Sequence, residues 1–346
     1  MATTSDQTLD EMRQWLGRET HFEGADEVTR SDIRRKLEVF AFACPLHYDE
    51  AVAQAHGYRT VVAPRAMTPL WSLQPYWKPG DPPIYAPDLQ ERNGTHRIDI
   101  PVPFPKGFNA SAEQEHLEPV YPGDRLRGAW KLVEITPKRT RLGDGVFMTV
   151  ETRLWKHSGE LVSIQRNTGY RYTPSAERME EVRSTPREQS DSATEALPES
   201  SPNVDWSQQL KFGQVNVGDE IPPYQLWLNY QRIVMSVAVD RMWGSIHHNR
   251  DAARAAGLDD IIFNTRGYEM VFEIALRRWM GLDGQLRRLG PFRMVKNSHP
   301  GDTLTCRGAV TGKEVADGEG RVHLDVWVEN PRAEAARGQA MITLPS

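Results

Sequence analysis

What the chain has little of narrows it first. Cysteine occurs only twice in 346 residues, at Cys44 and Cys306, and no His/Cys cluster has zinc-ligand spacing. That scarcity argues against a disulfide scaffold and against a structural zinc site. No apolar run approaches the roughly 18 residues that a membrane-spanning helix needs. Positive charge is not in excess: the formal net charge is −5, so no broad basic face for nucleic acid is indicated. The opening stretch, MATTSDQTLDEMRQW, is polar and acidic and has no signal-peptide pattern. The expectation is a soluble, cytoplasmic protein whose partner is a small molecule or another protein, not a nucleic acid or a membrane. With 39% hydrophobic residues, the length suits two domains of ordinary size, each with its own core.

Aromatics are missing from one segment. Residues 173–205 contain no Phe, Tyr or Trp, while 11 of the 33 are charged, six are Ser and four are Pro. Such a stretch buries too little apolar surface to offset ordering, so it reads as a linker, with a short helix around Ala176–Val182. It divides the chain into domains at 1–172 and 206–346.

The two halves read as distant copies. In the first, His47-Tyr48-Asp49-Glu50-Ala51 leads through an Ala-rich stretch to Gly57; in the second, His247-His248-Asn249-Arg250-Asp251 leads likewise to Gly257. Each half later carries a turn before an alternating run: Pro122-Gly123-Asp124 and Pro300-Gly301-Asp302. The His-to-Pro distance is 75 residues in the first half and 53 in the second, which a duplication with an enlarged middle in the first copy explains.

Strands follow each turn. Val146, Met148 and Val150 alternate with Phe147, Thr149 and Glu151, His157-Ser158-Gly159 makes a turn, and Leu161–Tyr172 reads as a second long strand. In the second half Val322, Leu324, Val326 and Val328 alternate, and Gln339–Leu344 closes the chain as a strand. Gly267–Met280 carries Met270, Val271, Ile274, Ala275 and Leu276 at helical spacing, with Arg277 and Arg278 late, where cations suit the helix dipole. One long helix followed by antiparallel strands is an α+β unit and not a βαβ repeat.

These pieces resemble the MaoC-like (R-specific) enoyl-CoA hydratase and acyl dehydratase family. In the second half the matching pieces are Val217-Gly218-Asp219-Glu220-Ile221-Pro222 as an opening strand, Ile246-His247, the Ala-rich helix to Gly257, Asn264-Thr265 before the long helix, and Pro300-Gly301-Asp302. The first half is similar to the dehydratase-like domain that accompanies it, through Pro45-Leu46-His47-Tyr48-Asp49, Val62-Ala63-Pro64, Pro122-Gly123-Asp124 and Arg166-Asn167-Thr168. The resemblance implies an α+β double hotdog, each half a long central helix wrapped by a curved antiparallel sheet, with the two sheets joined side by side. It also implies water addition to, or removal from, the 2,3 position of an acyl thioester. Coenzyme A would be part of the substrate and no other cofactor is implied. A homodimer, or a heteromer with a related hotdog subunit, is the expected assembly.

That chemistry needs an acid/base pair for the water and N–H donors for the enolate-like oxygen. The family pattern sets an Asp five residues before its His, but Met242 and Phe42 stand there. The candidate catalytic residues are therefore His247 with Asp240, seven residues upstream, or His248 as helper; alternatively His247 acts alone on an acidic proton. The start of the long helix, Asn264-Thr265-Arg266-Gly267, is the implied place for the thioester oxygen, with the Gly267 amide as donor and Asn264 or Thr265 also available as cap. His47 belongs to the half that the resemblance assigns to the acyl chain. Asp49 reads as a helix cap and Cys44 as an inert buried thiol. Trp71, Tyr76 and Trp77 are candidates for a pocket wall. The run 73–88, with five prolines, reads as an ordered loop or lid, and Lys78 and Arg92 could meet phosphates. Three alternatives stay open: a non-catalytic acyl-binding subunit; a lyase or isomerase on a non-thioester substrate, with Phe42, Met242 and Trp243 as an apolar wall; and a thioesterase using Glu269 or Glu273.

Overall fold

The computed structural model describes residues 4–83, 100–175 and 198–346. Its strands are β1 (Glu19–Glu27), β2 (Lys106–His116), β3 (Arg125–Thr140), β4 (Gly143–Lys156), β5 (Leu161–Pro174), β6 (Tyr224–Trp227), β7 (Gln285–Met294), β8 (Thr303–Ala316), β9 (Glu319–Glu329) and β10 (Glu334–Leu344). All ten form one sheet in the order β1-β3-β4-β5-β2-β7-β10-β9-β8-β6. Read from either edge inward, the order is the same for the two copies. They meet where β2 pairs antiparallel with β7, Ala112 opposite Phe292 and Gln114 opposite Leu289. Alternation explains the strands: Val322, Leu324, Val326 and Val328 of β9 are all buried while their neighbours are half-exposed.

The helices are α1 (Thr4–Arg13), α2 (Arg30–Phe40), α3 (Glu50–Ala55), α4 (Tyr230–Val239), α5 (Arg250–Ala255) and α6 (Thr265–Met280). From α2 to α3 the second copy repeats the first at residue numbers raised by 200. Thr29 and Asn229 cap α2 and α4. Ala41 and Arg241 both take the left-handed conformation. Asp49 and Asn249 cap α3 and α5, each accepting from two backbone amides. The Pro-Gly-Asp turns also agree: Asp124 accepts from the Tyr121 amide and Asp302 from the His299 amide.

α6 is the central helix. Met270, Val271, Phe272, Ile274, Ala275, Leu276 and Met280 are buried, each such side chain being worth about 1.5–3 kcal/mol. The turn that follows it is held by a buried cation, since Arg277 donates to the Gly281, Leu282 and Gly284 oxygens.

The first half departs from the expected plan. It has no long central helix among its described residues. A 3-10 segment, Arg65–Ser72, stands in its place with Pro69 inside. Proline supplies no N–H and crowds the preceding turn, and Pro75, Pro79, Pro82 and Pro83 follow. The other half completes this segment: Glu273 of α6 accepts from the Arg65 amide at 2.8 Å and the Ala66 amide at 2.7 Å.

Three further expectations change. The opening strand of the second half is β6, and Val217–Pro222 forms a turn with one bridge, Glu220 to Ala309. Thr173 and Pro174 belong to β5. Residues 199–205, read as linker, are tied to the second half: Ser200 N–H donates to the Gln225 oxygen at 3.1 Å, and Glu199 accepts from the Trp227 amide and pairs with Arg232. The helix around Ala176–Val182, and Arg92, lie outside the described residues.

Candidate functional site

Each copy places its histidine at the end of a 3-10 turn, Pro45–His47 or Ser245–His247. His47 Nδ1 lies 2.6 Å from the Val62 oxygen, and His247 Nδ1 lies 2.8 Å from the Ile262 oxygen. A carbonyl oxygen only accepts, so Nδ1 carries the hydrogen in both rings and Nε2 holds the lone pair.

The two rings differ in access. His47 is buried and its Nε2 has no hydrogen-bond partner. Burial pushes its pKa down to about 3; the Val62 bond opposes the shift, and the charge of Arg277 adds to it. The Phe42 ring packs against it at 5.5 Å, and Trp206 closes on Phe42 at 6.2 Å. His247 is only half-buried. Burial lowers its pKa, the Ile262 bond opposes this, and His248 adds to the lowering. A neutral imidazole with an available Nε2 is a base.

Met242 fills the position where the pattern calls for Asp. The Asn264 amide nitrogen sits 3.8 Å from its sulfur. Asn264 is buried, and its oxygen accepts from the Gly267 amide at 3.0 Å and from Ser236 at 3.3 Å. The Gly267 amide is thus already engaged by the helix cap, which corrects its reading as the donor to a thioester oxygen. Thr265 and Arg266, one and two residues earlier, carry the other amides of the first turn. Thr265 Oγ1 also accepts from Asn109 of β2 at 3.4 Å.

Asp240 is not held beside His247. Both its oxygens lie 2.6 Å from Lys36 Nζ of α2, and both residues are buried. The reason is packing. α2 and α4 lie against each other, so the end of one meets the middle of the other. Arg232 adds a second tie, from its Nε to the Val39 oxygen at 2.9 Å. Near the same junction Glu269 is buried. Its Oε2 has no hydrogen bond, with Arg266 at 3.7 Å. Burial raises its pKa to about 7. Sequence reasoning missed Lys36 entirely: an isolated lysine in an amphipathic helix carries no signal of a partner 204 positions away.

The aromatic candidates separate. Trp71 is buried and donates to Asp32 at 3.3 Å, and Trp77 is exposed. Tyr76 reaches across the halves to Trp243, ring centroids 6.2 Å apart. His248 follows the 3-10 turn directly and donates its backbone N–H to Ser245. Cys44 is buried, and burial pushes its thiol up to about 11, which confirms an inert role.

Corresponding clefts flank the two copies. One, of about 300 Å³, lies among Asp32, Arg35, Leu70, Trp71, Val239 and Arg241. The other, of about 90 Å³, has Ala41, Phe42 and Arg278 in its wall together with residues 199–202. The segment that leaves the linker therefore fills much of the groove on the His47 side. Neither imidazole lines either of these two clefts; the larger one reaches Arg241, six residues before His247.

Known proteins share this arrangement. Residues 14–165 match the family described as FAS1-like, dehydratase domain region. A solved MaoC-like dehydratase superposes with a TM-score of 0.68 at 19% identity, over 96% of this chain and 99% of that one. The chain has the double-hotdog fold. A conserved hypothetical protein of Mycobacterium tuberculosis, described as a double hotdog, superposes with a TM-score of 0.61 at 12% identity, over 96% and 97% of the two chains. At these identities the likeness is one of fold. The probable enoyl-CoA hydratase alpha subunit of Thermomonospora curvata is 28% identical over 166 residues, 47% of this chain and 51% of that protein. The chain therefore matches about half the length of that relative.

Proposed function

We propose that this MaoC-like chain acts on acyl thioesters as a hydratase or dehydratase, with His247 as its base. The observation that carries the reading is the Nδ1 bond of His247 to the Ile262 oxygen at 2.8 Å on a half-exposed ring. It fixes the tautomer that leaves Nε2 ready to take a proton from the carbon next to a thioester carbonyl. The first-turn amides of α6, at Thr265 and Arg266, would face the developing enolate oxygen. In the first half the continuous helix is replaced by Arg65–Ser72 and the loop after it, which brings Tyr76 to Trp243; we assign the acyl group to that side. Coenzyme A enters as part of the substrate. The acid/base partner is the weak point: Asp240 serves Lys36, which leaves His248 as the neighbouring titratable group. A missing partner costs about 10²- to 10⁴-fold, or roughly 3–5 kcal/mol of barrier, so hydration should be slow.

A second reading is favoured by the absence of the Asp in both copies, at Phe42 and Met242. In it the chain is an acyl-binding subunit that leaves chemistry to a related hotdog partner; the Thermomonospora relative is itself named an alpha subunit. Hydration of a short panel of 2-enoyl-CoA thioesters, followed by loss of conjugated-thioester absorbance, separates the two. Turnover that disappears in a folded His247→Ala protein supports the first reading. No turnover by wild type alone, with activity only when a partner subunit is added, supports the second.

A further inference from the structure

Hydration needs a water molecule and a group that accepts its proton. Among the described residues, the end of α4 and the start of α6 offer a water more donors than acceptors. The Asn264 oxygen is used twice, by Gly267 and Ser236, so what Asn264 presents toward Met242 is its N–H₂. The amides of Thr265 and Arg266 are donors. The Met242 thioether accepts weakly and takes no proton. In the first copy the counterpart, Phe42, packs its ring against His47, so this position sits beside the imidazole in the fold. The carboxylate that could have replaced the missing Asp, Asp240, has both oxygens on Lys36. Trp243, set against Tyr76, adds apolar surface. Among the described residues the arrangement combines His247 Nε2 and the neighbouring His248 ring with amide donors for an oxyanion and an apolar flank.

A base facing an oxyanion site, with Met242 in place of a water-holding carboxylate and Asp240 bound to Lys36, suits a proton shift. Resting on the reading of His247 as the base of an acyl-thioester site, we propose that this site moves a double bond along the acyl chain without water, converting 3-enoyl thioesters to 2-enoyl thioesters. His247 Nε2 takes the proton from C2 as the C2–H bond breaks. The electron pair spreads over C2, C3, C4 and the thioester oxygen as a dienolate, whose oxygen the α6 amides face. The same proton is then delivered to C4, a C4–H bond forms, and the double bond lies between C2 and C3. Nothing is added or lost, and the imidazole returns neutral.

The test uses the full-length protein with trans-3-hexenoyl-CoA and, separately, trans-2-hexenoyl-CoA. Isomerisation of the first raises conjugated-thioester absorbance with no change of mass, and hydration of the second lowers absorbance and adds one water. The expected result is isomerisation at least about tenfold faster than hydration, both lost in His247→Ala. Met242→Asp should raise hydration by about 10²-fold, the lower end of what a positioned acid/base contributes, and so reverse the preference. Wild type that hydrates faster than it isomerises overturns the proposal while leaving the hydratase reading intact. Wild type that does neither on these thioesters overturns both. If Met242→Asp does not fold, the wild-type ratio decides by itself.

Discussion

Replacing Glu269 by Gln should stabilise the protein by an amount that grows as pH rises from about 4.5 to about 7 and levels off above that. Glu269 is 2% exposed. Burial is the main cause that raises its pKa to about 7; nearby Asp240 adds to the rise, while Arg266, Gln114 and Lys36 oppose it. In the unfolded chain a Glu titrates near 4.5. The folded state therefore holds this proton more tightly than the unfolded state does. The associated stability is fully present below about pH 4.5 and is lost as pH rises through about 7. A rise of that size corresponds to about 3 kcal/mol at full ionisation. Gln keeps the shape and a hydrogen-bonding head but never ionises, so the variant should gain up to about 3 kcal/mol over wild type at pH values well above 7. The assay is urea denaturation of both proteins from pH 5.5 to 8.5, read as the shift in midpoint at unchanged slope. Comparing the two proteins at each pH cancels the buried neutral histidines His47 and His116. Their depressed pKa values, about 3 each, make them lose stability as pH falls. A difference between variant and wild type that stays flat across this range would refute the reasoning.

Two other perturbations address the joint and the helix start. Lys36→Met leaves Asp240 buried without its cation and should cost about 3–5 kcal/mol, seen as a lowered unfolding midpoint; Lys36→Met with Asp240→Leu should recover most of it. Gly267→Ala would set a Cβ 2.2 Å from the Phe263 ring, so it should cost about 1–3 kcal/mol by forcing that ring aside, measured by the same denaturation.

Local devices were readable because short-range physics specifies them. The His-to-Gly helices, the Asp49 cap, the Pro-Gly-Asp turns and the alternation of β9 each need only neighbouring residues. The two histidines were found the same way. The missing long helix of the first half was also written locally, in Pro69 and the prolines after it, but the expectation of symmetric copies overrode that signal. What could not be read was long-range. Asp240 stands two residues from the position that the pattern needs, close enough to be a candidate helper, yet its partner is Lys36 on a helix of the other half. The Gly267 amide looked available because a cap satisfies only some amides, and only the geometry shows that Asn264 takes this one. The charged, aromatic-free composition of 199–205 argued for linker, while Ser200 and Glu199 bond to β6 and α4.

The fate of the two copies is decided after their histidines. Up to Val62 and Ile262 they share caps, turns and imidazole bonds. Two residues on, Asn264 caps a helix of 16 residues, whereas Pro64 begins a 3-10 segment of eight. The long helix carries Glu273 and Arg277 into the first half, where Arg277 bears on His47 and Glu273 holds the Arg65 turn. The short segment ends before an equivalent of either, and its side of the joint is taken by the loop that carries Tyr76. One imidazole is thereby sealed, burial pushing its pKa down to about 3, and the other stays half-buried. That difference in access between two copies of one turn follows from where one helix stops. Restoring an acid at 42 should therefore do nothing for His47, whereas restoring one at 242 has an accessible base to serve.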